Sequence, residues 1–416
     1  MDAVRIYGGN RLCGQTTIQG SKNASLPILA ATLLIEGTCE IENCPDISDV
    51  YHMQRLLMSL GCRVEREGML VRVNTEGLSE CDMPSDSVGV MRSSIMLLGA
   101  LLARAGSVCM EYPGGCVIGA RPIGLHLQSL RRMGVVIEEQ PQGFCAEVTR
   151  LKGAVFRLPF VSVGVTENLL LAAVLAEGVT VIEPAAREPE IQALCDFLNL
   201  AGARIEGRGS DRLVIHGVEK LRPVRFRVPA DRIVAGTYLC ACMCTGGSVF
   251  LQDAPVQDME SVLEHARRMG ASVDCAEDGI LVNGRAHAGR LCVLRTGCYP
   301  EFPTDLQSPF MVAMALSGCR GQIEETVFEN RFRIVPELAK MGADICIQGN
   351  TAYIDGCRRL RGAIVHAQEL RGGAALVTAA LAAEGTSIVT NRHYIDRGYE
   401  DLVLRLRELG AAIELA

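Results

Sequence analysis

Met133-Gly134-Val135-Val136-Ile137 is one of six copies of a helix-end-to-strand signature in this chain. The others are Leu60-Gly61-Cys62-Arg63-Val64, Ala201-Gly202-Ala203-Arg204-Ile205, Met269-Gly270-Ala271-Ser272-Val273, Met341-Gly342-Ala343-Asp344-Ile345 and Leu409-Gly410-Ala411-Ala412-Ile413. Their glycines lie 73, 68, 68, 72 and 68 residues apart. A glycine just past a helix ends it in a left-handed turn. The β-branched residue three positions later then starts a strand. A second signature falls between these copies: an apolar helix, a glycine and a strand. It occurs at Gly37, Gly106, Gly178 and Gly385, with weaker copies at Gly246 and around Gly318. Each unit of about 70 residues therefore reads strand, helix, strand, helix, strand. That period exceeds those of common solenoids, so each unit is a small subdomain. Six units suggest three plus three, in two similar α/β domains. Coincidence of common glycine turns is the competing reading, and six copies within five residues of one spacing argue against it.

Composition fits such a molecule. The 416 residues suggest two or three domains. The chain is 49% hydrophobic with 4% aromatic residues and no Trp, so its core is aliphatic. A net charge of -7 with scattered arginines lacks the basic stripe of a nucleic-acid binder. No apolar run is long enough to span a bilayer, and Met1-Asp2-Ala3-Val4-Arg5 does not open a secretory signal. The 18 cysteines show no paired spacing, so the expectation is a cytoplasmic protein with reduced thiols. Cys240, Cys242 and Cys244 alternate within an apolar helical run and read as core residues rather than metal ligands.

Between two similar domains a cleft is the expected ligand site. Residues that break the repeat are the functional candidates. Tyr112-Pro113-Gly114-Gly115-Cys116-Val117-Ile118-Gly119-Ala120-Arg121-Pro122 sets a cysteine between glycines, five residues before a fixed cation. Such a thiol can act as acid, base or nucleophile; a buried cysteine in a turn is the bland reading. Lys22-Asn23 puts a cation and an amide at the start of an apolar helix, where anions are favoured. Arg92 opens another apolar helix, or is simply a solvated helix end. Phe302-Pro303-Thr304-Asp305 carries a carboxylate on a Pro-fixed turn, and locally it reads as a helix cap. Glu329-Asn330-Arg331-Phe332 and Ile395-Asp396-Arg397-Gly398-Tyr399-Glu400 read as ordinary ion pairs. His126 and His393 are lone histidines suited to hydrogen bonding rather than metal binding.

Taken together these motifs resemble those of the bacterial UDP-N-acetylglucosamine enolpyruvyl transferases. The resemblance runs from end to end. It includes Gly20-Ser21-Lys22-Asn23-Ala24, the cysteine loop, Ala186-Arg187-Glu188-Pro189-Glu190, Asp231-Arg232-Ile233, Phe302-Pro303-Thr304-Asp305, the run from Val327 to Phe332 and Asp396-Arg397-Gly398-Tyr399-Glu400. It implies two inside-out α/β barrel domains of three units each. One would span 22–229 and carry the cysteine loop; the other would combine 1–21 with 230–416. It also implies transfer of the enolpyruvyl group of phosphoenolpyruvate to the 3′-hydroxyl of UDP-N-acetylglucosamine, the first committed step of peptidoglycan synthesis.

By the same resemblance Cys116 is the proton donor, the site of a phospholactoyl adduct and the thiol that fosfomycin would alkylate. Asp305 accepts the hydroxyl proton. Lys22, Asn23, Arg121, Arg371 and Arg397 bind phosphoenolpyruvate, with Lys22 and Arg397 also catalytic. Arg92, Arg121, Pro122, Ile123, Gly124, Leu125, Ser162, Val163, Gly164, Asp305 and the backbone of Val327 bind the nucleotide sugar. No metal or cofactor is implied, because arginines neutralise the phosphate. Three residues depart from the family pattern: Glu369 and Gly124 where Asp is common, and Phe160 where Lys is frequent. They leave two alternatives to weigh. One is an enolpyruvyl transferase of the 5-enolpyruvylshikimate-3-phosphate synthase type, against which the cysteine loop argues. The other is a weakly catalytic regulatory paralogue that binds nucleotide sugar.

Overall fold

The computed structural model describes residues 2–79, 92–112, 114, 118–119, 122–284, 291–357 and 359–416, with Arg92 and Ser93 described by backbone alone. Cys116 and Arg121 lie outside the described residues. The chain folds into two compact units. One holds Gly20–Cys116 and Arg121–Pro229; the other holds Met1–Gln19, Val117–Ala120 and Ala230–Ala416.

In each unit helices form the centre and sheets the outside. In the 230–416 unit three helices pack on one another: Arg232–Thr245, Gln307–Leu316 and Leu370–Ala382. Every residue of the first two is buried, as is the third through Leu381. A helix that is apolar on all faces must be enclosed on all faces. The alanines and glycines of Leu370–Ala382 keep its profile thin enough for close packing. In the 20–229 unit Met96–Ala105 packs against both Lys22–Ala31 and Val163–Ala173. Cys240, Cys242 and Cys244 are buried core residues of Arg232–Thr245, and Cys242 donates its S–H to the Val282 carbonyl at 3.4 Å.

Around these helices stand six separate sheets among the described residues, five of four strands and one of three. The described strands do not close into a hydrogen-bonded barrel. Within a typical sheet a strand runs parallel to its neighbour across a core helix, and an antiparallel hairpin completes the set. Val155–Arg157, Val179–Glu183, Leu213–His216 and Arg204–Glu206 show the pattern. The six signature glycines have φ of 93°, 97°, 107°, 93°, 93° and 92°. Those of the second signature, including the weak copies at Gly246 and Gly318, are also left-handed. The repeat is thus a repeat of backbone geometry.

Two features were not legible in the repeat. Cys13–Thr17 pairs in parallel with Ser248–Gln252, whereas Arg225–Arg227 pairs in parallel with Thr38–Glu42. Each strand therefore lies in a sheet remote from it in sequence. Ala3–Tyr7 sits between Thr386–Thr390 and Ala412–Leu415, so the first strand completes the last repeat. The expectation of uniformly reduced thiols needs correction as well. Cys109 and Cys145 form a disulfide. They stand directly opposite each other on the antiparallel strands Ser107–Glu111 and Gly143–Glu147. That register brings the sulfurs together, and a sequence separation of 36 residues conceals it.

Candidate active site

In the 230–416 unit the site is built around Asp305. Its oxygens accept from two arginines: Oδ1 from Arg331 Nη2 at 2.7 Å and Oδ2 from Arg371 Nε at 3.1 Å. The arginine side chains are 2% exposed and that of Asp305 is 26% exposed. The carboxylate is therefore part-exposed, while the cations that hold it are buried. The three side chains together carry one net positive charge. Arg331 Nε and Arg371 Nη1 make no hydrogen bond of good geometry among the described residues. Buried donors in that condition suit an added acceptor.

The helix-cap reading of Asp305 fails. The short turn Thr304–Leu306 that carries it has Pro303 at its N-cap and no side-chain cap bond. Arg331 reads in the sequence only as one half of an ordinary ion pair; the structure makes it the second cation on Asp305.

Arg371 is the second residue of Leu370–Ala382. Glu369, one of the departures, is the N-cap of that helix and accepts from the Arg371 N–H at 2.8 Å and from the Gly372 N–H. The longer side chain folds back on its own helix and fixes the Arg371 backbone. The guanidinium carbon lies 5.5 Å from the centre of the Tyr399 ring, and the Tyr399 hydroxyl shares a 2.8 Å hydrogen bond with Thr237. Burial alone would lower the proton affinity of Arg371, and the Asp305 carboxylate, Tyr399 and Asp231 together outweigh that. Burial likewise pushes the Tyr399 hydroxyl up, against the pull of Arg371. Arg397 is half-buried two residues before Tyr399. Its segment is clamped by Gln19, whose amide donates to the Gly398 carbonyl at 3.2 Å and accepts from the Glu400 N–H at 2.7 Å. Val327 is 36% exposed, and its N–H donates to Glu325 at 2.8 Å. Of the cysteine loop, Ile118 and Gly119 belong to this unit, and the Asn330 N–H donates to the Ile118 carbonyl at 3.0 Å.

The remaining predicted residues that are described lie in the 20–229 unit, at the starts of helices. Lys22 and Asn23 are the first residues of Lys22–Ala31, which Ser21 caps by accepting from the Ala24 N–H at 3.3 Å. Lys22 Nζ lies 3.5 Å from Asp49, a partner that no sequence motif singles out. Pro122 and Ile123 lead into Gly124–Arg132, whose third residue is His126. Ser162 caps Val163–Ala173. A side chain added at Gly164 would meet the His126 ring. His126 itself hydrogen-bonds to Asn168 at 3.1 Å. The Asn168 carbonyl oxygen accepts from the Gly99 N–H, so its amide nitrogen donates and His126 Nδ1 accepts. Phe160 is largely exposed, and nothing lies within 4 Å of a β-carbon built on Gly124.

The chain is similar to known proteins along nearly its whole length. Residues 6–406 match the family model described as EPSP synthase (3-phosphoshikimate 1-carboxyvinyltransferase). The chain is 43% identical over 413 residues to UDP-N-acetylglucosamine 1-carboxyvinyltransferase 2 of Caldanaerobacter subterraneus subsp. tengcongensis, covering 99% of each. It is 45% identical over 415 residues to UDP-N-acetylglucosamine 1-carboxyvinyltransferase of Acinetobacter guillouiae, covering 100% of this chain and 99% of the other. Among solved structures, the enolpyruvyl transferase NikO from Streptomyces tendae superposes with a TM-score of 0.89 at 26% identity, covering 99% of this chain and 98% of that one. EPSP synthase from Acinetobacter baumannii shares the fold, with a TM-score of 0.75 at 20% identity and full coverage of both chains. The chain belongs to the enolpyruvyl transferases.

Proposed function

We propose that this chain transfers the enolpyruvyl group of phosphoenolpyruvate to the 3′-hydroxyl of UDP-N-acetylglucosamine and releases phosphate. The observation that carries the reading is the part-exposed Asp305 carboxylate held by two buried arginines. Each carboxylate oxygen has two acceptor positions, so an oxygen that accepts from an arginine can also receive a hydroxyl. Full-length identity to transferases of that name supports the choice of acceptor.

The reaction is an addition followed by an elimination. C3 of phosphoenolpyruvate gains a proton from Cys116 while the sugar oxygen attacks C2 and gives its proton to Asp305. The ketal then returns a C3 proton to the Cys116 thiolate and loses phosphate, which restores the double bond. Lys22, Asn23, Arg121, Arg371 and Arg397 bind phosphoenolpyruvate, and the charge that gathers on departing phosphate is met by the cations. Arg92, residues 121–125, residues 162–164, Asp305 and the Val327 backbone hold the nucleotide sugar. Both substrates are multiply charged and cannot cross a bilayer unaided, which supports a reaction in the cytoplasm, where phosphoenolpyruvate is formed. No helix among the described residues is long and apolar enough to cross a membrane.

A phosphate-release assay tests the reading. Phosphate should appear only when phosphoenolpyruvate and UDP-N-acetylglucosamine are both present. Release driven instead by shikimate 3-phosphate would reassign the acceptor, and no release with either acceptor would leave a binding protein. Fosfomycin should label Cys116 alone among the 18 cysteines; peptide mapping that found the label elsewhere would remove Cys116 from the mechanism.

A further inference from the structure

Glu325 is a buried carboxylate with no place in the mechanism above, yet it holds two of its parts. One oxygen accepts from the Thr296 hydroxyl at 2.9 Å and from the backbone N–H groups of Val327 at 2.8 Å and Phe328 at 3.2 Å. The other accepts from the Thr304 hydroxyl at 2.9 Å. Thr304 immediately precedes Asp305, and both lie in the turn Thr304–Leu306. Glu325 itself is 3% exposed.

Position in the sheet explains how one side chain reaches three segments. Cys292–Arg295 and Arg320–Glu324 are parallel neighbours with Arg295 opposite Glu324. Thr296 and Glu325 are therefore the first residues beyond the carboxyl ends of adjacent strands, where ligand sites of α/β sheets gather. Thr296 and Thr326 lock the two exits together: the Thr326 N–H donates to the Thr296 hydroxyl at 3.0 Å, and the Thr326 hydroxyl donates to the Thr296 carbonyl at 2.7 Å. Glu325 then fastens the Asp305 turn to one side of this junction and the 327–328 segment to the other. Because the Val327 N–H is committed to Glu325, the carbonyl is the backbone group that Val327 can offer a ligand.

The geometry points to Glu325 as a positioning residue that sets the Asp305 carboxylate and the Val327 carbonyl at a fixed separation. Through these it links the proton acceptor to the grip on the nucleotide sugar. The inference rests on the roles proposed above for Asp305 and Val327. A misplacement of about 1 Å is enough to cost roughly 100-fold in rate, so the link acts on turnover as well as binding.

Steady-state kinetics on four variants of the full chain test this, with Asp305→Asn assayed alongside. Thr304→Val removes only the bond to the Asp305 turn. It should lower kcat roughly 10- to 100-fold while KM for UDP-N-acetylglucosamine rises less than in Glu325→Ala. Thr304→Ser keeps the hydroxyl and should regain most of the rate. Glu325→Ala releases both arms, so kcat should fall and KM for UDP-N-acetylglucosamine should rise. Glu325→Gln keeps an acceptor for the two N–H groups and offers an amide that donates to the Thr304 hydroxyl, so it should restore both constants to within a few-fold. A merely structural carboxylate would lower the folded fraction and leave kcat and KM per folded molecule untouched. If Thr304→Val and every folded Glu325 variant keep wild-type constants while Asp305→Asn is inactive, the positioning role is overturned and the base stands. If Asp305→Asn turns over at the wild-type rate, the base reading fails and the inference falls with it. Should Glu325→Ala not fold, Thr304→Val decides alone.

Discussion

At the scale of single residues the Asp305 ion pairs change what a substitution there should do. As a helix cap the residue would matter only for stability. Held between Arg331 and Arg371, it balances two buried charges. Asp305→Asn should therefore cut turnover by ~10²–10⁴-fold. It should also lower stability by up to about 3–5 kcal/mol, the cost of breaking a buried pair. Turnover per folded molecule, measured beside a urea titration, separates the two effects. Gly124 makes the opposite case. No atom lies within 4 Å of an added β-carbon there, so Gly124→Asp should melt as the wild type does. If position 124 faces the nucleotide sugar, the same change should lower KM for UDP-N-acetylglucosamine; an unchanged KM would remove Gly124 from that site.

Elements were legible where the signal is local. The glycine that ends the helix of each signature must take positive φ, and all six do. The cost of losing one depends on its surroundings, which are not local. At Gly134, with φ of 97°, an added β-carbon meets nothing within 4 Å. Gly134→Ala should cost about 1–2 kcal/mol, the strain of the left-handed backbone alone. At Gly61 the same carbon would run into the Gly77 carbonyl, so Gly61→Ala should cost more. Urea midpoints of the two variants compared side by side give the check. Equal losses would mean that the Gly61 turn relaxes away from its neighbour. Glu369 belongs to this scale too. The sequence marks it only as a departure from the family pattern, and its role as the cap of the helix that carries Arg371 shows in the folded chain.

At the scale of the whole molecule, burial of thiols ties stability to pH. Burial pushes Cys62 up to about 11 and Cys195 up to about 12, against about 8.5 for an exposed thiol. The folded state therefore favours the neutral form. This contribution is fully present below pH ~8.5 and is lost as pH rises toward the folded values. The reduced protein should show a urea midpoint that falls between about pH 8 and about pH 10.5. Cys195→Ala, which starts lower because it leaves a cavity, should fall less steeply. A midpoint independent of pH over that range would mean these thiols ionise no differently in the folded and unfolded chain.

The sequence by itself determined the number and period of the repeats and the class of their elements, and the candidate site residues came from the resemblance of their motifs to one family. The repeat rests on short-range physics: a left-handed glycine, a β-branched strand start and an apolar helix. Tertiary structure alone decided which strands pair. It placed Cys13–Thr17 beside Ser248–Gln252 and Ala3–Tyr7 in the last sheet. Backbone hydrogen bonding is the same for any strand, so nothing local names the partner. It likewise brought Cys109 to Cys145 by register, and Arg331, Arg371 and Glu325 to the turn of Asp305. A carboxylate's neighbours are set by where strands end in space, and charged side chains carry no sequence mark of the partner they will meet.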